Sequence, residues 1–293
     1  LRSAPDYCEP LIAATAVPSQ NTRASLVSRM KLDPLTDTES PRFASTRLAP
    51  VLALTFPLLL LVAILTWIVQ SRLVSAQKVA IDYAPIRALM ITGGCCHDYE
   101  NQKLILSAGI STRVSVDWTI VHEGGDARDH KVSLYSDPDW PKNYDVIVHN
   151  ECFGGIEDDE FIRSIATAHD KHGVGAVMLH CSMHSYRLAK HDEGRKLLGV
   201  SSFNHGKKNP ITVKQLVPGH PVLKGLPKDY VTPQGELYNV VKVWPTATAL
   251  AQGTTDTTPD PQVCIWVNQY GKSRVFGTTI GHHNETMEDP AYL

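Results

Sequence analysis

The chain has 293 residues, 43% of them hydrophobic and 20% charged, with a formal net charge of -2. That is enough apolar sequence to bury a sizeable core, in one large domain or two small ones. Near-neutral charge, with no basic run and no aromatic residues interleaved with basic ones, argues against nucleic acid as a partner.

Residues 1–29 are rich in Ser, Pro and Ala and carry no sustained apolar period. They read as disordered or as translated upstream sequence, with Met30 the expected start and residues 1–50 as a whole preceding the first hydrophobic segment. Lys31, Arg42 and Arg47 then lead into the apolar run Val51 to Val69, interrupted by Pro57, and Val74-Ser75-Ala76 offers small residues in an A-x-A-like arrangement. The layout is that of an export signal or of a membrane anchor: a cleaved signal has an apolar core of about 7–15 residues and a spanning helix needs roughly 20. Residues 51–70 are therefore the signal core or anchor and 71–86 a linker. The domain from 87 to 293 is expected outside the cytoplasm, periplasmic, secreted or membrane-anchored.

From Ala84 strands and helices alternate. Arg87 to Ile91 is a short apolar strand closed by Thr92, Gly93 and Gly94, and Tyr99 to Ala108 has helical spacing. Val114 to Val121 and Asp145 to Val148 are strands; Asp158 to His172 is a helix with Phe161, Ile162, Ile165 and Ala168 on one face. Gly175 to Leu179 follows as a buried strand. Such succession implies a mainly parallel α/β sheet with helices on both faces. Five further strand-like runs, at Ile211–Leu216, Leu237–Val243, Ala247–Ala251, Val263–Val267 and Val275–Ile280, add an antiparallel part. A closing helix is expected to begin after Asp289 and Pro290 and to be cut short at Leu293.

Polar clusters follow four apolar strands: Gly93 to Asp98, His149 to Gly154, His180 to His184, and Gly281 to Thr286. A fifth, Thr232 to Tyr238, precedes one. Seven of the thirteen histidines (97, 149, 180, 184, 205, 282 and 283) lie in or beside such loops. Histidine titrates near neutral pH and binds metals as the neutral ring, and ligands of open α/β sheets bind at the carboxyl ends of the strands. The loops bearing His97, Glu151, His180 and His282 are therefore expected to converge on one cleft. Gly93-Gly94 lacks the spacing of a phosphate loop. Among Cys95, Cys96, Cys152, Cys181 and Cys264 the odd number leaves at least one thiol free or paired between chains, and Cys95 or Cys96 could bridge to Cys152. No C-x-x-C zinc spacing occurs.

The segments GGCCHD, YDVIVHNECFG, LHCSMHSYR, LGVSSFNHG, GHPVLKGLP, TPQGELY, VWPTATALAQG and YGKSRVFGTTIGHHNETM, in this order from Arg87 onward, resemble the ThuA-like (trehalose-utilisation) family. The resemblance implies a class I glutamine amidotransferase-like, flavodoxin-like α/β fold and a role in the catabolism of trehalose or other disaccharides through 3-keto derivatives. Class I amidotransferases carry a G-x-C-x-G elbow and a later H-x-E. Here Cys181 stands as the nucleophile candidate with His283 and Glu285, although Leu179 and Met183 replace the elbow glycines.

The leading expectation is an exported protein acting on a small-molecule sugar or keto-sugar. His97, Asp98, Glu151, His180, His184, Glu236, His283 and Glu285 would supply acid and base groups, and Asn150, Arg187, Gln234 and His282 would bind substrate. A divalent metal held by such histidines and carboxylates is a further option. A Cys181-dependent amide hydrolase or transferase and a non-catalytic sugar-binding module are the alternatives. The sequence leaves the oligomeric state open.

Overall fold

A computed structural model describes residues 60–72 and 84–293. Residues 60–72 are helical and belong to a separate unit; their large apolar side chains, Leu60, Leu61, Val62, Ile64, Leu65 and Trp67 among them, are exposed. No helix among the described residues is long and apolar enough to cross a membrane. The expected run from Val51 lies partly outside the described residues, as does Val74-Ser75-Ala76.

In the second unit β1 (Ile86–Gly94) leads through α1 (Tyr99–Ser111) to β2 (Val116–His122), followed by β3 (Val146–Cys152), α2 (Asp159–His172) and β4 (Gly175–Leu179). A short helix α3 (Glu193–Leu198) precedes β5 (Val200–Lys208). The strands β6 (Thr212–Gln215), β7 (Tyr230–Val231), β8 (Glu236–Val243), β9 (Ala247–Thr255), β10 (Thr258–Tyr270) and β11 (Ser273–Thr278) complete the sheets, and α4 (Asn284–Met287) follows. The main sheet runs β2-β1-β3-β4-β11-β10-β9-β6-β7. Its first five strands are parallel and the rest antiparallel, while β5 and β8 form a separate antiparallel pair.

Alternation along β1 explains why that strand reads as continuously apolar. Leu89 and Ile91 pack with Ile147, Ile162 and Ile165 on the α2 side, whereas Met90 packs with Leu106, Val148 and Leu179 on the α1 side. A strand covered on both faces has no solvent side to mark with polar residues. Each fully buried side chain of this size contributes about 1.5–3 kcal/mol relative to exposure. Helix α2 is held at its start by Asp158, whose carboxylate accepts from the Phe161 amide at 3.0 Å, and ends at Gly173, which adopts the left-handed φ of 67°. Both are ordinary helix caps.

The strand reading holds at β4, and the differences elsewhere bear on the site. His149 to Cys152 are the buried end of β3, not a loop: their amides and carbonyls stay in register with β1 through Gly94. Phe203 to Gly206 likewise belong to β5, paired with β8. The Gly93-Gly94 pair serves backbone geometry, because both residues take positive φ and a Cβ on Gly94 would run into the Cys152 carbonyl. After Asp289 the chain forms turns, and the terminal helix starts earlier, at Asn284.

Candidate functional site

Parallel order brings the carboxyl ends of β1, β4 and β11 to one edge. His97 lies in the loop between β1 and α1, His180 is the first residue after β4, and His282 follows β11. The antiparallel pair supplies the rest: Glu236 opens β8 and His205 lies on β5. The Glu236 carboxylate, 5% exposed, meets His282 Nε2 at 3.3 Å, His205 Nδ1 at 3.3 Å and His180 Nε2 at 3.5 Å. The His97 ring stands 4.6 Å from that of His282 and 4.8 Å from that of His180, centroid to centroid. One donor atom from each of His97, Glu236 and His282 falls within 4.8 Å of the other two.

His180 has an unusual backbone. Its φ of 43° is left-handed, a conformation that costs a non-glycine residue about 1–3 kcal/mol and recurs at functional turns. The sharp turn after the strand thus presents a histidine, where the amidotransferase resemblance places Cys181. His180 Nδ1 donates to the Thr279 carbonyl at 2.6 Å, which fixes the ring and directs Nε2 toward Glu236.

Electrostatics give this centre a defined charge state. Burial pushes His97 well below the ordinary histidine range, and the neighbouring His180 and His282 add to the effect. Burial also lowers His282, partly offset by Glu236. Burial alone would raise the Glu236 carboxyl, yet its contacts with His180 and His282 outweigh that and hold it below the usual carboxylate range. The result is an ionised carboxylate beside rings favoured in their neutral form.

Several expected site residues hold this arrangement from behind. Asp98 caps α1, accepting from the Asn101 amide at 3.3 Å, and also accepts from the Asn284 side chain at 2.8 Å, so it ties the His97 loop to the start of α4. Asn150 is buried and donates to Gln102 at 3.4 Å, and Gln102 donates to the His282 carbonyl at 3.1 Å. His184 stacks on Tyr238 at 4.1 Å and reaches Ser202 at 3.2 Å, while His180 packs against the same tyrosine at 4.7 Å. His283 stacks on His282, and burial lowers its pKa to about 4. Gln234 exposes its side chain and uses its carbonyl to accept from Thr286.

Glu151 does not join the cleft. As a strand residue two positions from His149 it shares that residue's face, and both point toward α2. Glu151 Oε1 meets His149 Nδ1 at 2.9 Å and the Tyr135 hydroxyl at 3.3 Å, and His149 Nε2 meets His169 Nε2 at 3.0 Å. Glu151 also borders a pocket lined by Ser182, Ser185, Tyr186 and Arg187 among others. That pocket lies behind the turn after β4, and the histidines grouped around Glu236 do not line it.

The cysteine expectations are corrected as well. Cys95 pairs with Cys96, and Cys152 pairs with Cys181, because β3 and β4 are neighbours whose ends bring the latter two together at a Cα separation of 5.4 Å. Cys181 is therefore held in a disulfide, Glu285 is exposed, and no hydrogen bond or ion pair joins Cys181, His283 and Glu285 among the described residues. The Cys-His-Glu triad is not assembled. Among the described residues Cys264 is the free thiol, buried, with its pKa pushed up by burial.

Tyr238 and the role of His205 do not stand out in the sequence. His205 sits in a strand too polar to read as one; Tyr238 lies two residues after Glu236 and so shares its face of β8, a spacing signal that does exist in the sequence.

The sequence profile of the ThuA family, described as trehalose utilisation, matches residues 87–293. This chain belongs to the ThuA family. Two solved ThuA-like proteins share its fold. That of Parabacteroides merdae superposes with a TM-score of 0.54 at 19% identity, over 68% of this chain and 80% of the other. That of Bacteroides uniformis gives 0.52 at 16% identity, over 70% and 86%. No curated protein matches the sequence. The ThuA domain here is thus a mainly parallel α/β fold with an added antiparallel part, in which the turn after β4 carries His180.

Proposed function

We propose that this ThuA-family protein acts on a sugar or keto-sugar by proton transfer at the Glu236 centre. The observation that carries the reading is the convergence of His97, His180, His205 and His282 on one buried carboxylate at the carboxyl edge of the parallel strands. The trehalose-utilisation description of the family supports the substrate class.

The chemistry follows from the tautomers. His180 Nδ1–H is committed to the Thr279 carbonyl, so Nε2 is the nitrogen left to take up a proton. Nε2 is then a fixed base for a proton on the carbon beside a sugar carbonyl. Once protonated, it lies 3.5 Å from Glu236, which stabilises the imidazolium. General acid and base catalysis of this kind contributes about 10²–10⁴ in rate. Purified protein should turn over 3-keto disaccharides, and His180→Asn should lose that activity by a similar factor while staying folded. Absence of both turnover and saturable binding across disaccharides and their 3-keto derivatives would remove the reading.

The same reading places the domain outside the cytoplasm. The exposed apolar helix at 60–72 and the two disulfides support it, since such bonds persist in oxidising compartments. Fractionation of cells expressing the chain from Met30 should recover the domain in the envelope or medium; recovery in the soluble cytoplasm would end this part of the proposal.

A further inference from the structure

His180 and Glu236 meet in a way that pairing with each other does not resolve. With Nδ1 donating to Thr279, His180 directs Nε2 toward a carboxylate oxygen 3.5 Å away, and that Nε2 is buried without a hydrogen-bond partner. His97 repeats the pattern: its Nδ1 meets the Tyr99 hydroxyl at 3.2 Å, leaving a buried Nε2 with no partner. His282 directs Nε2 at Glu236 and has a buried, unpartnered Nδ1. Among the described residues, no lysine or arginine nitrogen comes within ion-pairing distance of Glu236, whose ion-pair contacts are all with histidines. A buried carboxylate grouped with three imidazoles that each keep an unpartnered ring nitrogen is the environment a cation satisfies.

We infer that His97, His282 and Glu236 bind a divalent transition-metal ion, with His180 beside it as the base. Their donor atoms lie within 4.8 Å of one another, and the His282–Glu236 pair is at 3.3 Å. Donors bound at about 2.1 Å on a tetrahedral ion are roughly 3.4 Å apart, so small ring rotations close the set. Two imidazoles and one carboxylate leave coordination positions open, which is the arrangement of catalytic rather than structural sites. Zinc and the neighbouring first-row ions suit nitrogen and oxygen donors better than calcium or magnesium do. The Tyr99 hydroxyl on His97 and the Gln102 contact to the His282 backbone provide the outer support that metal-bound histidines need. The open positions fit a water or the oxygens of a ligand with adjacent hydroxyl and carbonyl groups.

This inference rests on the same centre as the sugar reading, and its test separates the two. The full chain, stripped with chelator and dialysed, is titrated with Co²⁺ and Zn²⁺ and its metal content measured. One ion per chain is expected, with weak visible bands from nitrogen and oxygen ligands. That ion should be lost in His97→Asn and in Glu236→Gln, each checked for folding by circular dichroism, and retained in Cys152→Ser. Absence of a stoichiometric ion, intense near-ultraviolet bands from thiolate ligation by the nearby cysteines, or retention of the ion in both folded variants would overturn the inference. Full turnover of a keto-sugar by metal-free protein would also overturn it while leaving the sugar reading intact. A bound ion without any sugar turnover would do the reverse.

Discussion

Two sets of histidine and glutamate occupy this fold, and they differ in how completely their imidazole nitrogens are partnered. The Glu151 set is a chain. His169 Nδ1 donates to the Val174 carbonyl at 3.1 Å, so its Nε2 accepts from His149 Nε2, and one proton is left between His149 Nδ1 and Glu151 Oε1. Trp140 packs across both imidazoles and Tyr135 closes the far end. The Glu236 set, by contrast, leaves ring nitrogens of His97, His180 and His282 without partners, at a strand edge where loops meet. The same residue types build a core in one place and a receptive centre in the other. Position relative to the strand ends separates the two.

The comparison is broken most sharply by replacing each carboxylate in turn. Glu236→Gln should lower kcat/KM for a keto-sugar by about 10²–10⁴ and leave the thermal midpoint little changed. A variant with unaltered kinetics would move the chemistry elsewhere. Glu151→Ala should act the opposite way, because removing one partner of a buried pair costs about 3–5 kcal/mol. Urea denaturation should show that loss, while kcat/KM of the folded fraction stays within a few-fold of the parent. A stable Glu151→Ala protein would mean that this network is not structural.

Acid sensitivity sharpens the same contrast. Burial, with the neighbouring His149, lowers His169 to about 3, below its ordinary unfolded value of about 6.5. The unfolded chain therefore takes up a proton that the folded chain refuses. Stability should be full above about pH 6.5 and fall progressively toward pH 3, by about 1.4 kcal/mol for each pH unit crossed. His169→Asn should remove about one proton from the slope of unfolding free energy against pH. An unchanged slope would show that His169 already carries its charge in the fold. The smallest expected effect is at the cap: Asp98→Ala should cost about 1 kcal/mol of stability and loosen the His97 loop, giving a modest rise in KM. A change in KM of zero would remove Asp98 from the support of the centre.

Much of the fold is legible in the sequence because buried parallel strands read as apolar runs. Gly175–Leu179 matches β4 to the residue, and α2 begins within one residue of Asp158 because its cap and amphipathic face agree. The end of β3 escapes that reading for a physical reason. His149 to Glu151 are polar in sequence but buried at the end of a strand that stays paired with β1, and their side chains find partners on opposite faces. Their period of two holds the clue, since His149 and Glu151 share one face and Asn150 takes the other. Strand β5 gives no such clue: Ser202 to Lys208 lack apolar alternation, and their pairing with β8 is set by tertiary contact.

The candidate site is legible in its parts and not in its membership. His97, His180, His282 and Glu236 are each marked by the sequence and do meet, while Glu151, drawn to the same edge by its place after Val148, faces the other layer. The elbow is displaced by a single position. Aligning Cys181 with a nucleophile follows residue type, whereas the left-handed φ at His180 follows the strand's end, and only coordinates distinguish the two. Disulfide pairing is equally beyond the sequence, because which cysteines meet depends on the neighbour order β1-β3-β4.

The division between the two histidine sets is tested most directly by their ring resonances. Nitrogen–proton correlation spectra of the imidazoles, recorded while a 3-keto disaccharide is titrated into the protein, report which rings sense the ligand. The account predicts shifts for His97, His180, His205 and His282, with His149 and His169 unmoved. Shifts confined to His149 and His169 would contradict it.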